Sequence, residues 1–312
     1  MSDFTPFRRL SLIGIGLIAS SIACAARERG LADQIVCGTP DETHREKALE
    51  IGIVDEAFAS NAEAAAGADL VIICTPPGVM GHVASEIGPS LAESAIVSDV
   101  GSVKHKIVEA VSPHIPAHAH FIPAHPIAGT ENSGPTAGFG NLFQNRWCII
   151  TPEKAADQDA VARIRAFWEA MGADVEIMGA AHHDQVLAIT SHIPHLIAYN
   201  IVGTADDLEA VTKSEVIKFS AAGFRDFTRI AASDPTMWRD VFLYNKDAVL
   251  EMLGRFSEDL TALQRAIRWG DGDALFKLFS RTRDIRRAII DAGQETDAPN
   301  FGRDVPPGEG DD

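Results

Sequence analysis

The chain has 312 residues, 46% hydrophobic and 23% charged, with a formal net charge of -17 at pH 7. That length points to two domains with ordinary buried cores, and that composition excludes a disordered chain. The charge opposes nucleic acid and anionic lipid as partners, because both would repel this surface.

No segment reads as the roughly 20 apolar residues of a membrane span. Cys24, Cys37, Cys74 and Cys148 stand singly, without Cys-x-x-Cys spacing, and read as reduced, buried thiols of a cytoplasmic protein.

Residues 8–13 predict a short buried strand, Gly14-Ile15-Gly16 a loop, and Ile18 to Arg29 a helix stopped by Gly30. Arg8-Arg9 followed by the uncharged run to Ala26 also resembles a signal peptide, but such a peptide has no use for glycines spaced to open a nucleotide site. Ile35 to Gly38 predicts a second strand and Glu42 to Leu49 a helix. Leu70 to Cys74 and Ala95 to Val100 continue the alternation, which argues for a parallel sheet covered on both faces. Strands at Phe121 to Ala124, Cys148 to Thr151 and Asp174 to Ile177, with a helix from Asp157 to Met171, are expected to extend that architecture to about residue 179.

From His182 the pattern is helical. Gln185, Val186, Ile189, Ile193, Leu196 and Ile197 recur at helical spacing, and Pro194 predicts a kink. Asp234-Pro235 caps and starts a helix whose stripe runs from Met237 to Ile267, and Gly270-Asp271-Gly272 separates it from a last helix, Asp273 to Gly293. The domains expected are 1–180, an α/β dinucleotide-binding sheet domain, and 181–294, an all-α domain. The latter is apolar enough to pair with a second copy as a homodimer. Residues 295–312 are expected to be a disordered tail.

Gly14 and Gly16 let a dinucleotide's pyrophosphate approach a helix N-terminus, formed here by Leu17 and Ile18, and Ala19 takes the small third position of the fingerprint. The ribose-binding acid expected about 20 residues later is displaced: Thr39-Pro40-Asp41 offers Asp41, while His44 and Arg45 could meet a 2'-phosphate. NAD is the preferred cofactor, with NADP open.

Three further loops follow predicted strands and are expected to line the same crevice: Thr75-Pro76-Pro77, Asp99 to Lys104, and His125 to Glu131. Taken alone, Ser102 reads as a helix cap and Lys104 as a solvated charge. His125, at a strand end in the crevice, is the best candidate base. His192 and His195 are three apart, a spacing compatible with metal, but no His-Glu-x-x-His occurs and no metal is expected.

The segments Gly14 to Ser21, Asp99 to Lys104, His125 to Glu131, Ser191-His192-Ile193-Pro194-His195, Gly223 to Arg229 and Ser233 to Trp238 together resemble the prephenate/arogenate (cyclohexadienyl) dehydrogenase family of tyrosine biosynthesis, over roughly residues 8–290. The resemblance implies a Rossmann-like doubly wound sheet followed by an all-α dimerisation domain. It implies NAD(P)-dependent oxidative decarboxylation of prephenate or arogenate to 4-hydroxyphenylpyruvate or tyrosine. By that resemblance His125 takes the hydroxyl proton, Ser102 bonds the same hydroxyl and helps orient His125, and Arg229 grips the ring carboxylate. Asp226 would orient arginine, and Thr130, Glu131, His195, Arg225 and Trp238 would line the substrate pocket. Some of these contacts are expected to cross subunits. Lacking the regulatory ACT segment of some members, the chain is expected to respond to tyrosine, if at all, at the active site.

Two other readings stay open. A β-hydroxyacid or imine-type dehydrogenase would need a catalytic lysine, for which Lys213 and Lys218 are the candidates. A non-catalytic dinucleotide sensor would not need Ser102, His125 and Arg229 together.

Overall fold

A computed structural model describes residues 4–130, 132–212 and 221–290. Alternation of short apolar runs with helical patterns produces β1 (Phe7–Ile13), α1 (Leu17–Arg29), β2 (Ala32–Gly38), α2 (Glu42–Glu50), β3 (Glu56–Phe58), α3 (Asn61–Ala65), β4 (Leu70–Ile73), α4 (Pro77–Ile87), β5 (Ile96–Asp99), α5 (His105–Val111) and β6 (His120–Phe121). The six strands form one parallel sheet in the order β3-β2-β1-β4-β5-β6. Short β3 and α3 carry too little apolar pattern to be read from sequence.

Side chains of a strand alternate between faces, and both faces here are covered. Leu10 and Leu12 of β1 pack with Ile22 and Ala26 of α1 and with Phe167 and Trp168. Ile13, Val71 and Ile73 pack with Met80 and Ile87 of α4, Ile107 of α5, and Trp238 and Val241. Strand order reverses at β1, so the carboxyl ends of β1 and β4 frame a crevice, the place where such sheets bind ligands.

The sheet does not continue as expected beyond β6. Ile122 N still donates to Val97 O at 2.9 Å, but Pro123 has no N–H and the ladder stops. The chain turns into a second, three-stranded sheet of β7 (Ala124–Pro126), β8 (Trp147–Ile150) and β9 (Asp174–Ile177). There β7 runs antiparallel to β8, with His125 opposite Ile149, and α6 (Gln158–Ala170), capped by Asp157, connects β8 to the parallel β9.

The helical part begins with α7 (Ala180–Leu187), a π-helical turn Ala188–His192, and α8 (Ile193–Thr212). Pro194 cannot donate a backbone hydrogen bond, and the wider turn just before it absorbs that loss. The stripe read from the sequence faces inward only in part: Ile193 is buried and Val186, Leu196 and Ile197 are half-buried, but Gln185 and Ile189 are exposed, and the first turns bury His183, Asp184, Leu187 and His192 in their place. By length and composition Ala180–Asp207 is one helical run apolar enough to cross a membrane, which the sequence reading did not anticipate. Its buried face carries two imidazoles and a carboxylate, which suits a protein core better than lipid.

Then follow α9 (Ala222–Thr228), a 3-10 turn Arg229–Ala232, α10 (Pro235–Tyr244), α11 (Lys246–Trp269) and α12 (Gly272–Ile289). Asp234 caps α10 through Met237 N at 2.9 Å, with Pro235 in the first turn, as its dipeptide predicts. The single long helix expected there is two, because Asn245, buried and non-helical, interrupts it. The described residues fall into two compact units that divide between Met252 and Leu253, inside α11. Lys213, Lys218 and the tail 295–312 lie outside the described residues.

Candidate active site

The glycine loop is built for an anion. Gly14 has φ +90, its N–H donates to Gly38 O at 2.7 Å, and a Cβ there would press on the Cys74 carbonyl at 3.0 Å. Gly16 is the N-cap of α1 and brings no side chain to it, and there is no acid in the first turn, so the N–H groups of Leu17, Ile18 and Ala19 are presented to the crevice. A Cβ built on Gly16 would meet nothing within 4 Å. Buried Ala19 lets α1 sit against the sheet. Pro76 caps α4 beside Thr75, whose hydroxyl oxygen is buried with no hydrogen-bond partner among the described residues. Open backbone and an unpaired hydroxyl fit a dinucleotide.

At the end of β2, Thr39 is buried and its backbone carbonyl accepts from Arg45 Nη1 at 2.7 Å. Asp41 caps α2, its carboxylate accepting from His44 N at 3.0 Å, and that bond holds its pKa below the usual carboxylate value.

His125 lies on β7, 7% exposed. Its Nδ1 is 2.9 Å from His183 Nε2, and His183 Nδ1 is 2.8 Å from Asp184 Oδ1. The carboxylate also accepts the N–H groups of Lys104 at 2.8 Å and His105 at 2.9 Å. This chain sets the protons. A carboxylate can only accept, so His183 donates from Nδ1 and accepts at Nε2. His125 must then donate from Nδ1, which leaves its Nε2 lone pair as a base. Burial, then the neighbouring His183, Lys104 and His192, hold His125 well below the ordinary imidazole pKa. Burial would raise Asp184, but the bonds from His183 and from the His105 and Lys104 amides outweigh it and its pKa is lowered.

Lys104 is not the solvated charge expected. It is fully buried; its ammonium bonds Asp99 and donates to the Ala124 carbonyl, adjacent to His125, at 2.6 Å. Burial pushes Asp99 up and Lys104 down, each opposed by the other. Ser102, half-buried at the end of β5, is not the cap of α5, a position Lys104 takes. The hydrogen-bond partner seen on the His125 ring is His183.

On the helical side the Trp238 ring stacks on His195 with centroids 3.6 Å apart, and Trp238 Nε1 is buried without a partner among the described residues. His195 Nδ1 donates to Ser191 O at 2.9 Å. Burial lowers its pKa, opposed by the bond to the Ser191 carbonyl and assisted by the charge of Arg229. Arg225 and Asp226 are exposed on α9, Thr130 accepts from Asn132 N at 3.2 Å, and Glu131 lies outside the described residues. A surface groove of about 640 Å³ lined by His105, Glu109, Ser112, Thr151, Glu153 and Lys154 contains none of the crevice residues.

The family description "Prephenate dehydrogenase, nucleotide-binding domain" matches residues 22–177, and "Prephenate dehydrogenase, dimerization domain" matches residues 179–281. The chain belongs to the prephenate dehydrogenase family. It is 39% identical over 285 residues to a cyclohexadienyl dehydrogenase of Zymomonas mobilis, covering 91% of this chain and 97% of that relative. A prephenate dehydrogenase of Aquifex aeolicus, solved with hydroxyphenyl propionate and NAD+, superposes with a TM-score of 0.85 at 31% identity, over 92% of this chain and 100% of that one. A Synechocystis arogenate dehydrogenase superposes at 0.74 with 28% identity, over 90% and 99%. The family resemblance read from the motifs is thereby confirmed.

What sequence reading missed is the pair His183-Asp184. Its one visible signal is a charged and a titratable residue, flanked by Ala180-Ala181 and Val186-Leu187, at the start of an apolar helix.

The buried imidazoles of this family member predict a pH effect. His125, His183 and His192 are all held below their ordinary value, chiefly by burial. In the unfolded chain they titrate near pH 6.5, so the unfolded state binds protons first as pH falls, and stability is lost progressively below about pH 6.5. Asp184 acts in the same direction lower down: its contribution is present above about pH 4 and lost below. The urea midpoint is expected to be level from pH 8 to 7 and to fall steadily towards pH 5. A midpoint unchanged at pH 5 contradicts it.

Proposed function

We propose that the chain oxidises prephenate, arogenate or both with loss of carbon dioxide, giving 4-hydroxyphenylpyruvate or tyrosine, in the cytoplasm, with NAD as cofactor. The observation that carries this reading is the His125 Nε2 lone pair, left free by the Asp184-His183 chain at the edge of a dinucleotide crevice. Gly14, Gly16, Leu17, Ile18 and Ala19 would hold the pyrophosphate, and Thr75 and Pro76 would lie along the cofactor. A dinucleotide held there would supply the hydride acceptor for the ring carbon that bears the hydroxyl. His125 takes the hydroxyl proton, Ser102 bonds that hydroxyl, and loss of the ring carboxylate as carbon dioxide makes the ring aromatic. Asp184, held ionised, steadies the positive charge that His125 acquires and shares with His183.

Arg229 would grip the ring carboxylate through paired N–H groups, steered by Asp226, with His195 and Trp238 forming the wall and Thr130, Glu131 and Arg225 meeting the substrate side chain. Arg229→Ala is expected to raise KM about 10- to 100-fold, the loss of a charge-assisted pair. An unchanged KM would remove Arg229 from substrate binding.

In this reading residues 1–180 carry the cofactor and 181–294 the substrate wall and a homodimer interface. Supporting the latter, Leu260, Ile267, Phe276, Phe279 and Ile285 are each more than half exposed in the single chain, an apolar surface that a second copy would cover. The test of function is a matrix of prephenate and arogenate, each with NAD and NADP. Turnover in at least one of the four supports the reading, and none refutes it. The matrix also settles the cofactor: with Asp41 engaged in capping α2, either ribose form has to be selected by the other groups at the end of β2.

A further inference from the structure

Helix α4 begins without a cap of its own. Pro76 is its N-cap and brings no side-chain acceptor, and Pro77 at the first helical position has no N–H. Val79 N turns back to Pro76 O at 3.2 Å, which leaves the Gly78 N–H as the donor of the first turn still to be met. Its acceptor comes from 162 residues further on: Asp240 Oδ2 of α10, at 3.1 Å. Asp240 is 5% exposed, and its other carboxylate oxygen accepts from Arg239 Nε at 2.9 Å and Nη2 at 2.7 Å. The approach leaves no slack, because a Cβ on Gly78 would come within 2.5 Å of Asp240 Oδ2. A carboxylate on a first-turn amide is a helix cap, supplied here by tertiary structure instead of by the neighbouring sequence.

What this cap fixes is the loop at residues 75–78, read above as lying along the dinucleotide. On its other side stands the glycine loop: a Cβ on Gly14 would touch Thr75 Cγ2 at 3.3 Å. The loop is thereby clamped between the pyrophosphate turn and α10. That helix is tied to the base as well, since Asn245, which ends it, donates from Nδ2 to the Asp184 carbonyl at 2.8 Å. One helix of 10 residues therefore joins the cofactor loop, through Asp240, to the Asp184-His183-His125 chain, through Asn245. It also carries Trp238, whose ring stacks on His195.

We propose that Asp240 is a positioning residue for the dinucleotide: by capping α4 it fixes the loop at residues 75–78, and through α10 it sets that loop's distance from His125. This rests on the proposed reaction, in which the hydride leaves the ring carbon while the proton leaves its hydroxyl oxygen. Two neighbouring atoms then face two different acceptors, so cofactor and base have to be held in register with each other. A misplacement of about 1 Å is enough to cost about 10²-fold in rate.

The experiment compares Asp240→Leu, which fills the site without an acceptor, with Asp240→Asn, whose side-chain carbonyl can still accept from Gly78 N. Gly78→Ala, which breaks the same contact from the other side, replaces Asp240→Leu if that variant does not melt cooperatively. The dissociation constant of NADH, read from its fluorescence, is expected to rise about 10-fold in Asp240→Leu, the fold-change that loss of a helix cap supplies. The same variant should lose about 10-fold or more in kcat at saturating dinucleotide. Both quantities should stay within about threefold of wild type in Asp240→Asn, as should the KM for substrate in either variant. A wild-type NADH dissociation constant or wild-type kcat in the acceptor-free variant would overturn the assignment, and so would equal losses in Asp240→Leu and Asp240→Asn or a defect confined to the KM for substrate. A wild-type protein that binds neither NADH nor NADPH would instead sink the proposed reaction itself.

Discussion

His125→Asn is expected to lower kcat by about 10²-fold or more while leaving substrate affinity largely intact. An asparagine amide can still donate towards His183 from near the Nδ1 position, so the corner keeps its hydrogen bond, but nothing remains at Nε2 to accept a proton. Because burial holds the His125 pKa well below the ordinary imidazole value, the acid limb of kcat/KM should lie below that expected for a solvent-exposed histidine. Steady-state kcat and KM, with an independent binding measurement for a substrate analogue, read the two halves of the prediction separately. Equal turnover in wild type and variant would show that the proton leaves by another route.

The largest effect on stability is expected from Lys104→Met. Methionine matches the volume of the lysine stem but leaves the Asp99 carboxylate buried and unpaired, and the Ala124 carbonyl loses its donor. Breaking one side of a buried ion pair costs about 3–5 kcal/mol, whereas removing both charges is often close to neutral. Urea unfolding should therefore show a large loss for Lys104→Met and substantial recovery for Asp99→Asn combined with Lys104→Met. Unchanged stability in the single variant would mean the pair contributes nothing. In the double variant the strand carrying His125 is held by one contact fewer, so kcat is expected to stay below wild type even where stability returns.

Much of the nucleotide half was legible because its signals are local. Strand, glycine turn and helix follow one another between residues 7 and 29, and the glycines at 14 and 16 answer to requirements of the backbone itself. Caps such as Asp157 and Asp234 are equally local, since each side chain bonds an amide three residues on. Ser102, His125 and Arg229 were readable as a set only through family resemblance, as no spacing connects them.

The non-local features escaped. Pro123 was visible, but whether the chain resumes the parallel sheet after it or turns into another depends on which strand offers a free edge. Lys104 was read as solvated because nothing in its neighbourhood of sequence shows that Asp99 and the Ala124 carbonyl enclose it. The inward face of α7 was misread because burial there is repaid by hydrogen bonds, from His183 and Asp184 to groups 58 to 80 residues away, and not by apolar area.

By itself, then, the sequence determined that residues 7–38 form a strand, turn, helix and strand able to hold a pyrophosphate, that a helical region follows, and that the motifs belong to one enzyme family. The tertiary structure alone decided which nitrogen of His125 is free to accept a proton. That outcome depends on one carboxylate and three imidazole nitrogens meeting from β7 and α7, and a proton's position is set by partners in space that the order of residues along the chain does not reveal.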